Sequence, residues 1–163
     1  MSRCLYNSSF TDFLNTDDNT IFGVLCDRYH GEALTTTREA WKSEISIMKD
    51  ILVRFANKDG QIIFEYDIPR LGKRVDVVLL FEGIVFCVEF KVGESRILES
   101  DIDQVLDYAL DLKNFHKFSE DRIIAPILSS LKITVILLPT FKCRFMTIEW
   151  SILLFRGKQE FHI

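Results

Sequence analysis

Three side chains that could act together fall in one short stretch: Asp76, Glu89 and Lys91, within GKRVDVVLLFEGIVFCVEFKVGES (residues 72–95). Arg74–Phe81 and Ile84–Lys91 are dominated by Val, Leu, Ile and Phe, the composition of β-strands, and Glu82-Gly83 separates them as a tight turn. A two-residue hairpin loop pairs Phe81 with Ile84. Asp76 then falls directly across from Glu89, and Arg74 across from Lys91. Opposed residues of an antiparallel pair hold their Cβ atoms about 5 Å apart, and like charges so placed repel. Two facing carboxylates among apolar neighbours need a cation, a shared proton or a strong hydrogen-bond network. A divalent metal is the most economical of the three. Amphipathic hairpins also carry charges at strand ends simply because water is near, and the hairpin alone is compatible with both readings.

The register rests on how the two strands sort their side chains. Alternation puts Val75, Val77, Leu79 and Phe81 on one face with Ile84, Phe86, Val88 and Phe90, a wholly apolar set that must be covered. Val78, Leu80, Val85 and Cys87 lie on the other face, with Asp76, Glu89, Arg74 and Lys91 at its open end. A three-residue turn with a glycine bulge would shift the pairing by one and mix the faces, so the clean segregation favours the two-residue turn.

Other elements must bring further groups to this hairpin. Thr35–Thr37 opens a helix over Arg38–Ala56, with Trp41, Ile45, Met48, Leu52 and Phe55 as its apolar stripe. Glu44 flanks that stripe. Such an acid is usually salt-bridged or reaches out to water; it joins the chemistry only if this helix packs beside the open end of the hairpin. Asn57–Gly60 is a turn before a strand near Gln61–Ile68. Arg70, Lys73 and Arg74 then form a small basic cluster, either solvated surface or a hold on a phosphate backbone. After a polar segment, Ser100 caps a helix to Phe115 with the stripe Ile102, Val105, Leu106, Ala109 and Leu112. Gln104 and Tyr108, four apart, share a face beside it. Asp101, Asp103, Asp107 and Asp111 give this helix an acidic outer side. His30 and His116 read as residues at helix ends.

Residues 1–36 read as short helices, capped by Ser8 or Ser9 and by Asp17-Asp18. Towards the other end, Ile133–Leu138 and then Phe145–Trp150 with Ser151–Phe155 read as strands. The order is helix, three strands, helix, strand and a final strand. It predicts an α/β (α+β) fold, a mixed β-sheet flanked by helices, in one domain over 1–163: an N-terminal helical extension (1–36) and a core (37–156).

Composition narrows the classes. The 163 residues are 48% hydrophobic with 14 Phe, which excludes disorder and fits a packed core. A net charge of −4 argues against a passive electrostatic DNA binder, and less against an enzyme that brings cations to its phosphates. Cys4, Cys26, Cys87 and Cys143 show no metal-ligand spacing, which suits free thiols in a reducing cytoplasm. No secretory leader is expected at the start of the chain. The most apolar run, Ile123–Phe141, is broken by Pro126, Ser129-Ser130, Lys132 and Pro139, so it reads as a turn and a strand, and no membrane span is expected.

Taken in order, Glu44 on a helix, Asp76, Glu89-Phe90-Lys91 and Gln104…Tyr108 resemble the PD-(D/E)XK nuclease superfamily. Gln104-Val-Leu-Asp-Tyr108 looks like the Q-x-x-x-Y motif of its RecB-like branch. The likeness covers most of residues 38–140 and extends to nuclease-like domains found ahead of helicase domains in bacteria. Val75 stands where the proline that names the motif would be, and no GxxxxGK[ST] loop occurs. The resemblance implies a restriction-endonuclease-like core and a Mg²⁺- or Mn²⁺-dependent nuclease acting on phosphodiester bonds, in DNA before RNA. It also implies a helicase or other domain as partner. Asp76, Glu89 and the Phe90 carbonyl would hold the metal, with Glu44 touching it through water or binding a second ion. Lys91 would orient the attacking water and offset phosphate charge, and Gln104 would hold these groups. Tyr108 would support them or meet the nucleic-acid strand, beside Arg70, Lys73 and Arg74. The alternative is a nuclease-fold module that binds nucleic acid or a protein without cutting.

Overall fold

The computed structural model describes residues 3–30, 34–68, 72–91, 97–115, 119, 121–130, 134–142, 147–156 and 159–162, with side chains as far as residue 129. Arg70, His116 and Cys143 lie outside the described residues.

Local signals set the first elements. β1 (Tyr6–Ser9) leads into α1 (Phe10–Asn15), capped by Ser9 through the Asp12 N–H, and α2 (Asp18–Arg28) is capped by Asp17 through the Thr20 N–H. β1 is not among the expected helices; it adds to the sheet edge beside β2 (Gly60–Ile68). α3 spans Thr35–Leu52 and ends in a 3₁₀ turn, Val53–Phe55, so it starts and stops about one turn earlier than the apolar stripe suggests. β3 (Lys73–Phe81) and β4 (Ile84–Lys91) form the central hairpin. Glu82 and Gly83 have φ of 50° and 80°, the left-handed pair that a two-residue loop between twisted strands requires.

α4 (Glu99–Phe115) carries the chain over the sheet to β5 (Ile123–Ser130), which runs parallel to β4. β5 is the strand that the sequence reading takes for a turn, because of Pro126. Among the described residues β5 pairs with β6 (Thr134–Lys142) only over Ile127–Ser129. Pro126 is therefore paired with β4 but not with β6, and on that unpaired side a missing N–H costs little. β7 (Thr147–Arg156) unites the two segments expected near the end, and β8 (Gln159–His162) adds an unforeseen strand. The described strands form one mixed sheet in the order β1 to β8, antiparallel except at β4–β5. The fold is α/β, with helices on both faces of the sheet. Among the described residues no helix is long and apolar enough to cross a membrane.

α1, α2 and α3 bury Phe10, Phe13, Ile21, Leu25, Trp41, Ile45 and Met48 against Ile62, Phe64, Val77, Leu79, Val88 and Phe90. α4 buries Tyr108, Ala109 and Leu112 on the opposite face, against Val78, Val85 and Cys87. Strict alternation would place Val75 with Val77, and Tyr66 and Ile68 with Phe64. Instead Val75, Tyr66 and Ile68 all pack on the α4 side. Alternation reverses in both strands at the same level, at Glu65 and Asp76. Glu65 has a φ of 54°, and the β2–β3 ladder passes from Phe64–Val77 to Tyr66–Val75 over this couple. The reversal corrects the expected single apolar face of β3, and it builds the site.

Candidate active site

The β3–β4 register is as expected from Phe81–Ile84 down to Val77–Val88. There the described ladder stops, so Asp76 does not pair with Glu89 nor Arg74 with Lys91 as backbone partners. Asp76 Oδ2 instead accepts the Phe90 N–H at 2.7 Å, taking the place of a strand carbonyl. Asp76 and Glu89 are close enough for each to act on the other's ionisation, so the two acids share one site. They meet through a splayed strand end.

Glu89 is 5% exposed and Glu44, from α3, 3%. α3 thus packs beside the open end of the hairpin, the condition under which Glu44 joins the site. Burial is the main cause that drives all these carboxyls towards the protonated form. It raises Glu44 well above the usual range, helped by repulsion from Asp76, Glu65 and Glu89. Asp76 rises to about 7 by burial, although the Phe90 N–H holds it back. Glu89 rises to about 8 by burial and by the charge of Asp76. Burial and mutual repulsion thus push both members of the pair towards the protonated form.

From the other face, one turn of α4 supplies the hydrogen bonds. Gln104 Nε2 donates to Glu89 Oε1 at 2.6 Å and to the Tyr108 hydroxyl at 2.7 Å, while its Oε1 accepts from Lys91 Nζ at 3.1 Å. One amide thus fixes an acid, a cation and a phenol at once. Lys91 Nζ stands 3.7 Å from Glu89 Oε1 and 3.3 Å from Asp101 Oδ1. Tyr108 is 2% exposed, which fits support of the site and not contact with a strand. Burial and the nearby Glu89 push its hydroxyl up to about 12, so it stays neutral.

The two described members of the basic cluster separate. Lys73 lies over the Tyr108 ring on the α4 side, 6.0 Å from its centroid. Arg74 turns to the other face, 5.3 Å from the Tyr29 ring centroid and 3.8 Å from Glu65 Oε2.

Two acids beyond those singled out from the sequence belong here. Glu65 accepts the Trp41 indole N–H at 2.8 Å and adds to the negative potential on Asp76, Glu44 and Glu89. Only its left-handed backbone brings it there, and nothing in the pattern of β2 signals that. Asp101 is 7% exposed and turns inward, not onto the acidic outer side of α4. Its spacing three before Gln104, one turn along the helix, was the available signal.

Among the described residues no three of His, Cys, Asp and Glu are already gathered around one point as a cation cage. The donors present nevertheless suit a hard divalent ion. Buried Glu44 Oε2 and Glu89 Oε2 have no hydrogen-bond partner, an arrangement that is costly for buried carboxylates unless protons or a cation meet them.

No family model matches the chain, and neither the curated proteins nor the solved structures contain a match.

Proposed function

We propose that the chain is a Mg²⁺- or Mn²⁺-dependent nuclease of the PD-(D/E)XK type, hydrolysing phosphodiester bonds in DNA in preference to RNA, in the cytoplasm. The observation that carries this reading is the pairing of half-buried Asp76 with buried Glu89, with an orphaned Glu89 oxygen and Lys91 held beside it by Gln104.

Asp76, Glu89 and the Phe90 carbonyl would hold the ion, and Glu44 Oε2 is the further donor on the α3 side. A divalent cation bound there would supply Lewis acidity towards the phosphate and lower the pKa of attacking water. Lys91 places a positive charge where the pentavalent phosphate gains negative charge. Gln104 keeps Lys91 and Glu89 in fixed relation, and Tyr108 holds Gln104. Lys73, exposed at the rim above Tyr108, is the described cation best placed to meet a backbone phosphate.

The test is cleavage of single- and double-stranded DNA and of RNA across a Mg²⁺ and Mn²⁺ series, with Asp76→Ala, Glu89→Ala and Lys91→Ala as controls. Metal-dependent cutting lost in all three variants supports the reading. An inert wild-type chain on every substrate sinks it.

One observation favours a second reading, a nuclease-fold module that binds nucleic acid or a partner domain such as a helicase without cutting. The described basic rim is thin: Arg74 is engaged with Glu65 and Tyr29, and the whole chain is acidic. Binding that survives loss of Asp76 and Glu89, without turnover, would select it.

A further inference from the structure

Lys91 poses a steric and electrostatic problem for any cation site at Asp76 and Glu89. It lies two residues after Glu89 in the same strand, with its own charge beside the acid pair. An unrestrained ammonium in so dry a place would close to a direct charged hydrogen bond of about 2.8 Å. It would then occupy the space in which a metal ion must sit. The ammonium is instead held 3.7 Å from Glu89, and Glu89 Oε2 has no partner.

The restraint comes from α4. Asp101 and Gln104 lie one turn apart and both face Lys91, at 3.3 Å and 3.1 Å. Asp101 is itself fixed, because its Oδ2 accepts the Leu98 N–H at 2.9 Å, the backward half of a capping box. Capping occupies that oxygen alone. It leaves Oδ1 directed at the lysine, and a buried carboxylate with a single free oxygen is a rigid hold.

We propose that Asp101 is a positioning residue that draws the Lys91 ammonium towards α4 and so keeps the Asp76–Glu89 pair open to a divalent cation. The inference rests on the cation-dependent reading above. It assigns Asp101 a task that helix capping does not require.

Asp101→Asn separates the two tasks, since the amide oxygen still accepts the Leu98 N–H while the charge is gone. Mn²⁺ affinity is measured by calorimetry on the full chain, in the wild-type and Lys91→Met backgrounds. Asp101→Asn should weaken Mn²⁺ binding about 10-fold or more in the wild-type background, the scale seen when a ligand's outer partner is lost, and should change nothing once Lys91 is Met. Asp101→Gln, whose amide oxygen can reach back to the Leu98 N–H as in a capping box, should behave alike and serves if the Asn variant folds poorly. Unchanged affinity in the wild-type background overturns the proposal. So do equal losses in both backgrounds, which would mark a through-space charge effect. A wild-type chain that binds no Mn²⁺ refutes the cation site itself and this inference with it, whereas Mn²⁺ binding untouched by Asp101→Asn removes the inference alone.

Discussion

Removing Asp76, the half-buried acid of the pair, should stabilise the protein, which is the opposite of what deleting an inward-facing charged group normally does. The perturbation is Asp76→Asn, measured in EDTA. The Asp76 carboxyl moves from 3.8 when unfolded to about 7 when folded, with burial as the main cause. The folded state therefore binds a proton more tightly than the unfolded state. The associated stability is fully present below about pH 4 and is lost as pH rises through 7. At about 1.4 kcal/mol per pH unit the loss amounts to about 4 kcal/mol by pH 8. Glu89 titrates with Asp76 as a pair, so their mutual repulsion is counted once. An Asn oxygen still accepts the Phe90 N–H, but a charged acceptor is better than a neutral one by about 1 kcal/mol, and the attraction of Lys91 is also lost. The net gain at pH 8 is about 2 kcal/mol, or roughly 4–8 °C in Tm for a chain of this size. At pH 5 the advantage should shrink to about zero. Thermal melts at the two pH values decide it. A variant that melts below wild type at pH 8, or a difference that ignores pH, would mean that Asp76 is a structural ion-pair partner and that the acid pair is not under electrostatic stress. Saturating Mg²⁺ should reverse the order, because only the wild type gains binding free energy.

Three further outcomes follow from other contacts. Gln104→Ala removes the only amide joining Lys91, Glu89 and Tyr108 among the described contacts; the proposed nuclease activity should fall about 100-fold through misplacement, while chemical denaturation shows a loss of only about 1–3 kcal/mol. Trp41→Phe strips Glu65 of its indole donor and leaves a small cavity under α3; denaturation should show about 1–3 kcal/mol for the lost hydrogen bond on top of a pH-independent cavity cost, the first part being smaller at low pH, where a protonated Glu65 can donate. Gly60→Ala places a Cβ 2.3 Å from the buried Phe10 ring, and denaturation should register about 1–3 kcal/mol of overpacking, with no change in cation affinity.

Much of the arrangement could be read from residue order because local signals there have a single solution. Glu82-Gly83 admits one compact turn, that turn sets the register from Phe81–Ile84 onward, and the register brings an acid of each strand to the same end. Gln104 and Tyr108 are a helical turn apart whatever the exact start of α4, so their shared face survives a boundary error. β5 was less legible, because Pro126 contradicts a strand wherever both edges are paired, and only the short β5–β6 ladder explains how it is accommodated.

The reversal at Glu65 and Asp76 could not be read at all, for a physical reason. Hydrophobic periodicity locates a strand's faces only when one face is wet. Here α3 covers one side of β2 and β3 and α4 covers the other, so Val75, Tyr66 and Ile68 fit equally well on either. A flip of the pleat then costs no exposed apolar area. Its cost is the left-handed backbone at Glu65, about 1–2 kcal/mol for a side chain other than glycine. The return is chemical. A regular ladder would have joined Asp76 and Glu89 to their neighbours through backbone hydrogen bonds and sent both carboxylates to the α4 side. The flip turns Asp76 into the gap between the strands, where it takes the Phe90 N–H, meets Glu89 and comes under the influence of Glu44 across the sheet. Groups from both helical layers thus act on the same acid pair, and a strict alternation of β3 would have kept Asp76 on the α4 face, away from Glu44.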